Sequence, residues 1–178
     1  MQHLYRTTVR WTGNDGVGTR DYRAYRRDHV IEVDGKAPIH ATSGLAPRSE
    51  PSYHNPDELL VAALASCHML WYLHLCAEAG VVVTAYVDRA EGVLELAADG
   101  SGRFTSATLH PRVEISAGST ESARRLHEEA HRRCFVASSV NFPVECAPTV
   151  VVGAAGSAAA VEPPTPATPS APGRTTRP

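Results

Sequence analysis

The four cysteines are the residues of this sequence best suited to redox chemistry, and they stand far apart, at Cys67, Cys76, Cys134 and Cys146. Four cysteines in 178 residues are too few and too scattered for a disulfide scaffold, and no Cys-x-x-Cys pair suggests a zinc knuckle. Any cysteine chemistry in this chain must therefore come from individual thiols.

Two separated segments give two of these cysteines a distinctive context. The first has NPDEL at residues 55–59 and, after small and apolar residues, ASC at 65–67; the second has AHRRC at 130–134. This pair resembles the signature of the OsmC/Ohr family, the osmotically inducible protein C and organic hydroperoxide resistance proteins. The order of elements over residues 1–152 is similar as well.

The resemblance implies a fold and an activity. The fold would be α+β and OsmC-like, with a mainly antiparallel sheet packed on a long buried central helix in an intertwined homodimer. The activity would be that of a thiol-dependent peroxidase that reduces organic hydroperoxides, and hydrogen peroxide as a further substrate, in defence against oxidative stress. Cys67 would be the peroxidatic cysteine and Cys134 the resolving cysteine. The resulting disulfide would need no cofactor, only an external dithiol such as a lipoyl protein or thioredoxin.

A reactive thiol at neutral pH needs a cation nearby, because an apolar environment raises thiol pKa values. In the family this cation is an arginine from the N-terminal strands, oriented by a carboxylate. The carboxylate position falls on Asp57, with adjacent Glu58 as the alternative. Ten residues separate Asp57 from Cys67, a rise of about 15 Å in one straight helix. We therefore expect the carboxylate at each site to come from an antiparallel helix of a second subunit.

The arginine is chosen from a cluster. The segment TRDYRAYRRDH carries Arg20, Arg23, Arg26 and Arg27. Its tyrosines and Arg27 resemble a Y-x-x-Y-x-R-x-H segment found in one branch of the family, which favours Arg27, with Arg23 second. At least two of the four arginines fit a solvated charge cluster on an edge strand equally well.

Other chemistries compete with this assignment. A cysteine hydrolase or acyltransferase needs a histidine beside its cysteine, but His68 points about 100° away from Cys67 around a helix. A zinc site is conceivable for His127, His131 and Cys134, which share a helix face. A non-catalytic member that binds a hydrophobic small molecule is the main alternative.

The sequence gives less reason to assign a redox role to the remaining two cysteines. Cys76 lies nine residues after Cys67, about 180° around the helix, so these thiols cannot bridge and Cys76 is expected in the core. Cys146 receives no role.

The element that must position Cys67 is the best-defined one in the sequence. Asn55 is a plausible N-cap, Pro56 suits the first helical position, and Gly80 marks the end. Residues 59–77 are apolar on nearly every side. We interpret this segment as a core helix rather than a membrane span, because Ser and His residues interrupt its apolar sequence and acidic residues precede it. A helix buried all round needs a second subunit to cover it.

The other elements follow from periodicity. Alternating residues predict strands near 5–11, 29–33, 81–96 and 104–115, a hairpin turn at 98–102, an amphipathic helix over 120–133 and a closing strand at 149–152. Blocks of strands and helices favour α+β with mainly antiparallel sheet.

Composition narrows the function and the compartment. The net charge is −2, and the basic residues are 16 Arg and one Lys without a like-charge block, which argues against nucleic-acid binding. The polar N-terminus lacks a signal-peptide pattern, so we expect a cytoplasmic protein with no membrane partner. Residues 153–178 are rich in Ala and Pro and are predicted to be a disordered tail after the domain at 1–152.

Overall fold

Two helices and three small sheets make up the part of the chain that the computed structural model describes, residues 1–44 and 48–153. The strands are β1 (Thr8–Trp11), β2 (His29–Glu32), β3 (Ile39–Ala41), β4 (Val82–Asp88), β5 (Glu91–Leu96), β6 (Gly102–Leu109), β7 (Pro111–Ala117), β8 (Val144–Cys146) and β9 (Thr149–Val152), and the helices are α1 (Pro56–Glu78) and α2 (Thr120–Arg133). The predicted α+β class is confirmed.

Helix α1 begins where its capping residues predict. The Asn55 side chain accepts a hydrogen bond from the Glu58 backbone N–H at 2.8 Å, and the Glu58 carboxylate accepts one from the Asn55 N–H at 3.2 Å. This capping box satisfies two backbone donors that the first turn leaves without partners. Gly80 follows the helix with a φ of 70°, a conformation that glycine adopts without strain.

The strand predictions are partly right. Helix α2 and strand β9 have the predicted bounds, and β5 and β6 pair across the predicted hairpin. The two long strands predicted at 81–96 and 104–115 each divide in two, because the chain turns a corner where the His110 N–H donates to the Asp88 carboxylate at 2.7 Å. The sequence prediction missed β3 and β8, which are three residues long and lie in Pro-flanked segments.

The sheets are mainly antiparallel, as predicted. Their strand orders are β1-β2-β3, β4-β7-β9 and β5-β6-β8, and only the β6–β8 and β7–β9 pairs among the described strands are parallel. The second half of α1 packs with α2 on the β4-β7-β9 sheet through Tyr72, Val113 and Ala130. The first half packs on β6 through Leu64. Helix α1 thus joins two hydrophobic clusters.

The expectation that α1 is buried on most of its circumference is wrong for a single chain. Its buried residues, Leu64, His68, Tyr72, Leu75 and Cys76, form one face. Other apolar positions remain open, and the Leu70 side chain is 64% exposed. By length and composition α1 is the one helix among the described residues that could cross a membrane, but that buried face belongs to the core of the domain.

The N-terminal sheet stands apart from this core. Strands β1, β2 and β3 pair antiparallel with one another, and all four residues of β1 are exposed. Gly153 is the last described residue, so the predicted tail lies outside the described residues apart from that glycine.

Candidate functional site

The structure brings Cys67 of α1 and Cys134 at the end of α2 together. The Cys67 thiol lies close enough to Cys134 to act on its pKa, although 67 residues separate the two in the chain. Cys67 is half-buried, whereas Cys134 is fully buried and accepts a hydrogen bond from the Ala137 N–H at 3.4 Å. Burial, followed by the contact with Cys67, raises the pKa of the Cys134 thiol to about 11. Two neighbouring thiols of this kind can form a disulfide when one of them is oxidised.

Aromatic side chains flank the cysteine pair. Trp71, one turn after Cys67, contacts the edge of Phe135 with ring centroids 5.6 Å apart. The Arg133 guanidinium lies 5.7 Å from the Trp71 ring centroid, and its Nε donates to Glu129 at 2.6 Å. Phe135 is 70% exposed. The approach to the cysteines is therefore apolar, with one charged group at its edge.

Two of the four candidate arginines have well-defined surroundings. Arg26 forms ion pairs with Asp15 at 3.1 Å and with the buried Asp28 at 2.6 Å, so its charge holds the N-terminal segment together. Arg27 is enclosed by aromatic rings, with its guanidinium carbon 4.2 Å from the centroids of both Tyr22 and Tyr25.

Hydrogen bonds fix Arg27 further. Its guanidinium donates to the backbone carbonyl of Tyr25 at 2.8 Å and to that of Tyr22 at 2.5 Å. Arg27 is therefore the arginine of the cluster with a preorganised, ring-stacked guanidinium. It lies in the segment before β2, on a different element from Cys67.

The two candidate carboxylates, Asp57 and Glu58, differ in their interactions. Glu58 closes the capping box with Asn55, whereas Asp57 makes no ion pair within the described ranges 1–44 and 48–153. Helix α1 runs unbroken from Pro56 to Glu78, so Asp57 stays about 15 Å along the axis from Cys67 in the same chain. Within one chain these two residues do not meet.

An open cleft of about 980 Å³ runs beside α1. Val61, Ala65 and Met69 of the helix line one side, and Leu94 and Phe104 line the other. The backbone of β5 at Gly92 lies close to the side chains of Val61 and Phe104. A Cβ at this position would come within 2.7 Å of carbon atoms of both side chains. Cys67 does not line this cleft.

The sequence analysis missed a second cluster, formed by His68, His127 and Cys146. His68 Nε2 lies 3.0 Å from His127 Nδ1, and Cys146 Sγ lies 3.6 and 4.0 Å from these two nitrogens. His127 was paired with His131 and Cys134 in the zinc alternative, but its ring turns into the core instead. No spacing rule predicts this cluster, because its residues come from α1, α2 and β8.

Burial governs the protonation of this cluster. It lowers the pKa of His68 to about 4, with the charge of His131 adding to the effect, and lowers that of His127 to about 3, with His68 adding. Burial and then the charge of Asp88 raise the pKa of the Cys146 thiol to about 12. At neutral pH both imidazoles are therefore uncharged and the thiol is protonated.

Residues 49–148 match the family model for OsmC-like protein. An OsmC-like protein of unknown function from Vibrio cholerae has 32% sequence identity and a TM-score of 0.74, over 83% of this chain and 99% of that one. The chain belongs to the OsmC-like protein family, as its motifs predicted.

More distant structures share the fold. An organic hydroperoxide resistance protein from Elizabethkingia anophelis has 18% identity and a TM-score of 0.57, over 86% of this chain and 100% of that one. An organic hydroperoxide resistance protein OsmC from Legionella pneumophila has 18% identity and a TM-score of 0.55, over 84% and 98%. At this identity the two structures show the fold alone. A search of curated proteins finds no match to this chain.

The buried histidines predict how stability depends on pH. In the unfolded chain both take up protons near pH 6.5, whereas in the folded protein His68 and His127 stay neutral down to about pH 4 and about pH 3. Unfolding is thus linked to proton uptake below pH 6.5. We expect stability to be retained above that pH and lost as the pH falls toward 4, by up to about 1.4 kcal/mol per pH unit for each histidine.

Urea unfolding between pH 7 and pH 4, in buffer with a chelator, measures this slope. The exposed His74 on the same helix provides the control, because its ion pair with Glu78 at 3.4 Å is solvent-screened. His74→Gln should keep the wild-type pH profile. Equal unfolding free energies of the wild type at pH 7 and pH 5 would contradict the prediction.

Proposed function

We propose that this protein is a thiol-dependent peroxidase that reduces organic hydroperoxides through Cys67 and Cys134. The observation that carries the proposal is the proximity of these two thiols in an OsmC-like fold. The name of the fold neighbours from Elizabethkingia anophelis and Legionella pneumophila, organic hydroperoxide resistance protein, is consistent with it.

The first step would consume the peroxide. The Cys67 thiolate attacks the terminal oxygen of the hydroperoxide, an S–O bond forms and the O–O bond breaks. The alkoxide leaving group takes up a proton and departs as an alcohol, and Cys67 becomes a sulfenic acid. Trp71 and the exposed Phe135 offer apolar contacts for an alkyl group next to the thiol.

The second step would use the neighbouring cysteine. Cys134 attacks the sulfur of the Cys67 sulfenic acid, an S–S bond forms, and the S–O bond breaks to release water after protonation. Burial of Cys134 keeps it protonated and unreactive toward other oxidants until that partner appears. An external dithiol, such as a lipoyl protein or thioredoxin in the cytoplasm, would reduce the disulfide and complete the cycle.

Arg27 is the best candidate for the cation that stabilises the Cys67 thiolate. Tyr22 and Tyr25 hold its guanidinium in one orientation, whereas Arg26 is neutralised by Asp15 and Asp28. Asp57 would orient the arginine, because Glu58 is already bound in the capping box.

A homodimer would complete this site. The exposed stripe of α1, namely Ala62, Ser66 and Leu70, is suited to helix packing because its first two residues are small. An antiparallel α1 from a second copy would bring that copy's first turn toward Cys67, which Asp57 of the same chain cannot reach. The exposed strand β1 of the N-terminal sheet is a further surface available for contact between subunits.

A ligand-binding protein without peroxidase activity is the second candidate. The cleft of about 980 Å³ beside α1 is large enough for a hydrophobic small molecule. A cysteine hydrolase finds less support, since His68 is engaged with His127 rather than Cys67. Peroxide turnover distinguishes the first candidate from the binder.

Substitution of either cysteine should affect turnover in a different way. Cys67→Ser should reduce consumption of cumene hydroperoxide with a dithiol to the rate of the dithiol alone, because no peroxidatic sulfur remains. Cys134→Ser should release one equivalent of alcohol per chain and then slow, leaving a sulfenic acid that dimedone traps. Alcohol release and mass spectrometry measure both outcomes.

Cys76→Ala serves as the control, since this cysteine lies in the core on the same helix and should leave turnover unchanged. Full activity of Cys67→Ser, or a peroxide-induced disulfide that involves Cys76 or Cys146, would refute the proposed roles.

The arginine assignment has its own test. Arg27→Ala should lower the rate of peroxide reduction about 100-fold, as expected for loss of a preorganised charge. Arg23→Ala, in the same segment, should retain the wild-type rate. The assignment is wrong if the two variants exchange these results, as measured by stopped-flow kinetics of Cys67 oxidation.

The dimer is tested by charging the exposed stripe of α1. Leu70→Glu should convert dimers into monomers and lower peroxidase activity, because a buried carboxylate at a helix interface is unfavourable. Val152→Glu, at an apolar residue of similar exposure (70% against 64%) on β9, should leave both unchanged. Light scattering after size-exclusion chromatography measures the mass, and a monomeric wild type at micromolar concentration would exclude the dimer.

A further inference from the structure

The cluster of His68, His127 and Cys146 has the composition of a metal site. Three separate elements, α1, α2 and β8, each contribute one ligating atom, and the three atoms lie within 4.8 Å of one another. Both imidazoles are 2% exposed or less. Two imidazole nitrogens and a thiolate are ligands that Zn²⁺ and related divalent transition metals prefer.

Some buried polar atoms in the cluster have no hydrogen-bond partner. Among the described residues, the buried side-chain nitrogens without a hydrogen-bond partner are His68 Nδ1 and His127 Nε2, which lie on the outer edges of the two rings. Each ring can therefore carry its proton on this outer nitrogen and present its inner nitrogen, His68 Nε2 or His127 Nδ1, to a metal ion. Tyr72 stacks on the His127 ring at 3.8 Å and lies 5.9 Å from the Tyr86 ring. Asp88 is close enough to Cys146 for its charge to act on the thiol.

We propose that His68 Nε2, His127 Nδ1 and the Cys146 thiolate bind one divalent transition-metal ion of the zinc class. In a tetrahedral zinc site the ligand atoms lie about 3.3–3.6 Å apart, given metal–ligand bonds of about 2.0–2.3 Å. The observed separations of 3.0, 3.6 and 4.0 Å bracket this range. The proposal is independent of peroxidase activity, since neither Cys67 nor Cys134 belongs to the site.

Binding requires a local rearrangement of the two histidine rings. The two histidine rings lie end to end, with planes 5° apart and centroids 5.3 Å apart, so one ring donates an N–H to the other. On metal binding that proton moves to the outer nitrogen of its own ring, and the Cys146 proton is released to solvent. Both rings must tilt toward Cys146, and their nitrogens must separate by about 0.3 Å.

A solvent-accessible cavity reaches two of the three proposed ligands. It has a volume of about 520 Å³, and its lining combines His127 and Cys146 with one acidic residue, Glu128, and the basic residues Arg124, Arg125, His131 and Arg132. It gives an ion a route to the cluster and leaves room for water as the fourth ligand. The half-buried carboxyl group of Asp88 would balance part of the metal charge as a nearby outer-shell group.

Cobalt titration of the full-length wild-type protein tests the proposal. One equivalent of Co²⁺ per chain should produce the visible bands of tetrahedral cobalt and a thiolate-to-cobalt charge-transfer band. Cys146→Ala should lose the charge-transfer band and bind at least about 100-fold more weakly, since loss of a ligand exceeds the 10- to 100-fold effect of losing an outer-shell partner. The matched control, Cys67→Ser with Cys134→Ser, should keep the bands.

X-ray absorption of the zinc-loaded wild type provides a second measurement that needs no variant. We expect one sulfur and three nitrogen or oxygen ligands. The proposal is overturned if the wild type takes up no ion, which would leave a hydrogen-bonded histidine pair. It is also overturned if the bands persist in Cys146→Ala or disappear in the double variant.

Discussion

Burial of the apolar surface of α1 is the constraint on which the rest of this structure depends. The helix is apolar on nearly every side, yet one chain covers a single face of it, by packing α2 and the β4-β7-β9 sheet on one half and β6 on the other. The hydrophobic effect scales with the apolar area removed from water, and the face that one chain leaves uncovered is the basis of our proposal of a dimer. The same requirement would bring two copies of the cysteine segment into one assembly.

Consecutive residues of α1 serve different environments because they point about 100° apart around the helix. Cys67 faces the end of α2, where Cys134 ends the helix, whereas His68 faces the interior and meets His127 and Cys146. A pair of thiols, of which Cys67 is half-buried and Cys134 fully buried, and a buried imidazole cluster can therefore lie side by side without sharing ligands. Helix α2 contributes His127 to the imidazole cluster and ends at Cys134 of the thiol pair. The packing of α1 against α2 therefore positions both sites.

Features that depend on local chemistry were predictable. The Asn55 cap, the proline at the first helical position and Gly80 define α1 through backbone hydrogen bonding and φ preferences, which act within a few residues. The bounds of α2 were predictable for the same reason. The predicted long strands at 81–96 and 104–115 divide because a contact between Asp88 and His110, 22 residues apart, makes a corner that periodicity does not encode.

The sequence by itself determined the family, the two helices and the cysteines worth testing, because motifs and capping residues are local patterns. Only the tertiary structure decided which groups meet. It brought Cys67 to Cys134, enclosed Arg27 between two tyrosine rings, and gathered His68, His127 and Cys146, of which Cys146 had been given no role. The physical reason is that long-range contacts follow from the packing of whole helices and sheets, in which residues from distant segments share one buried volume.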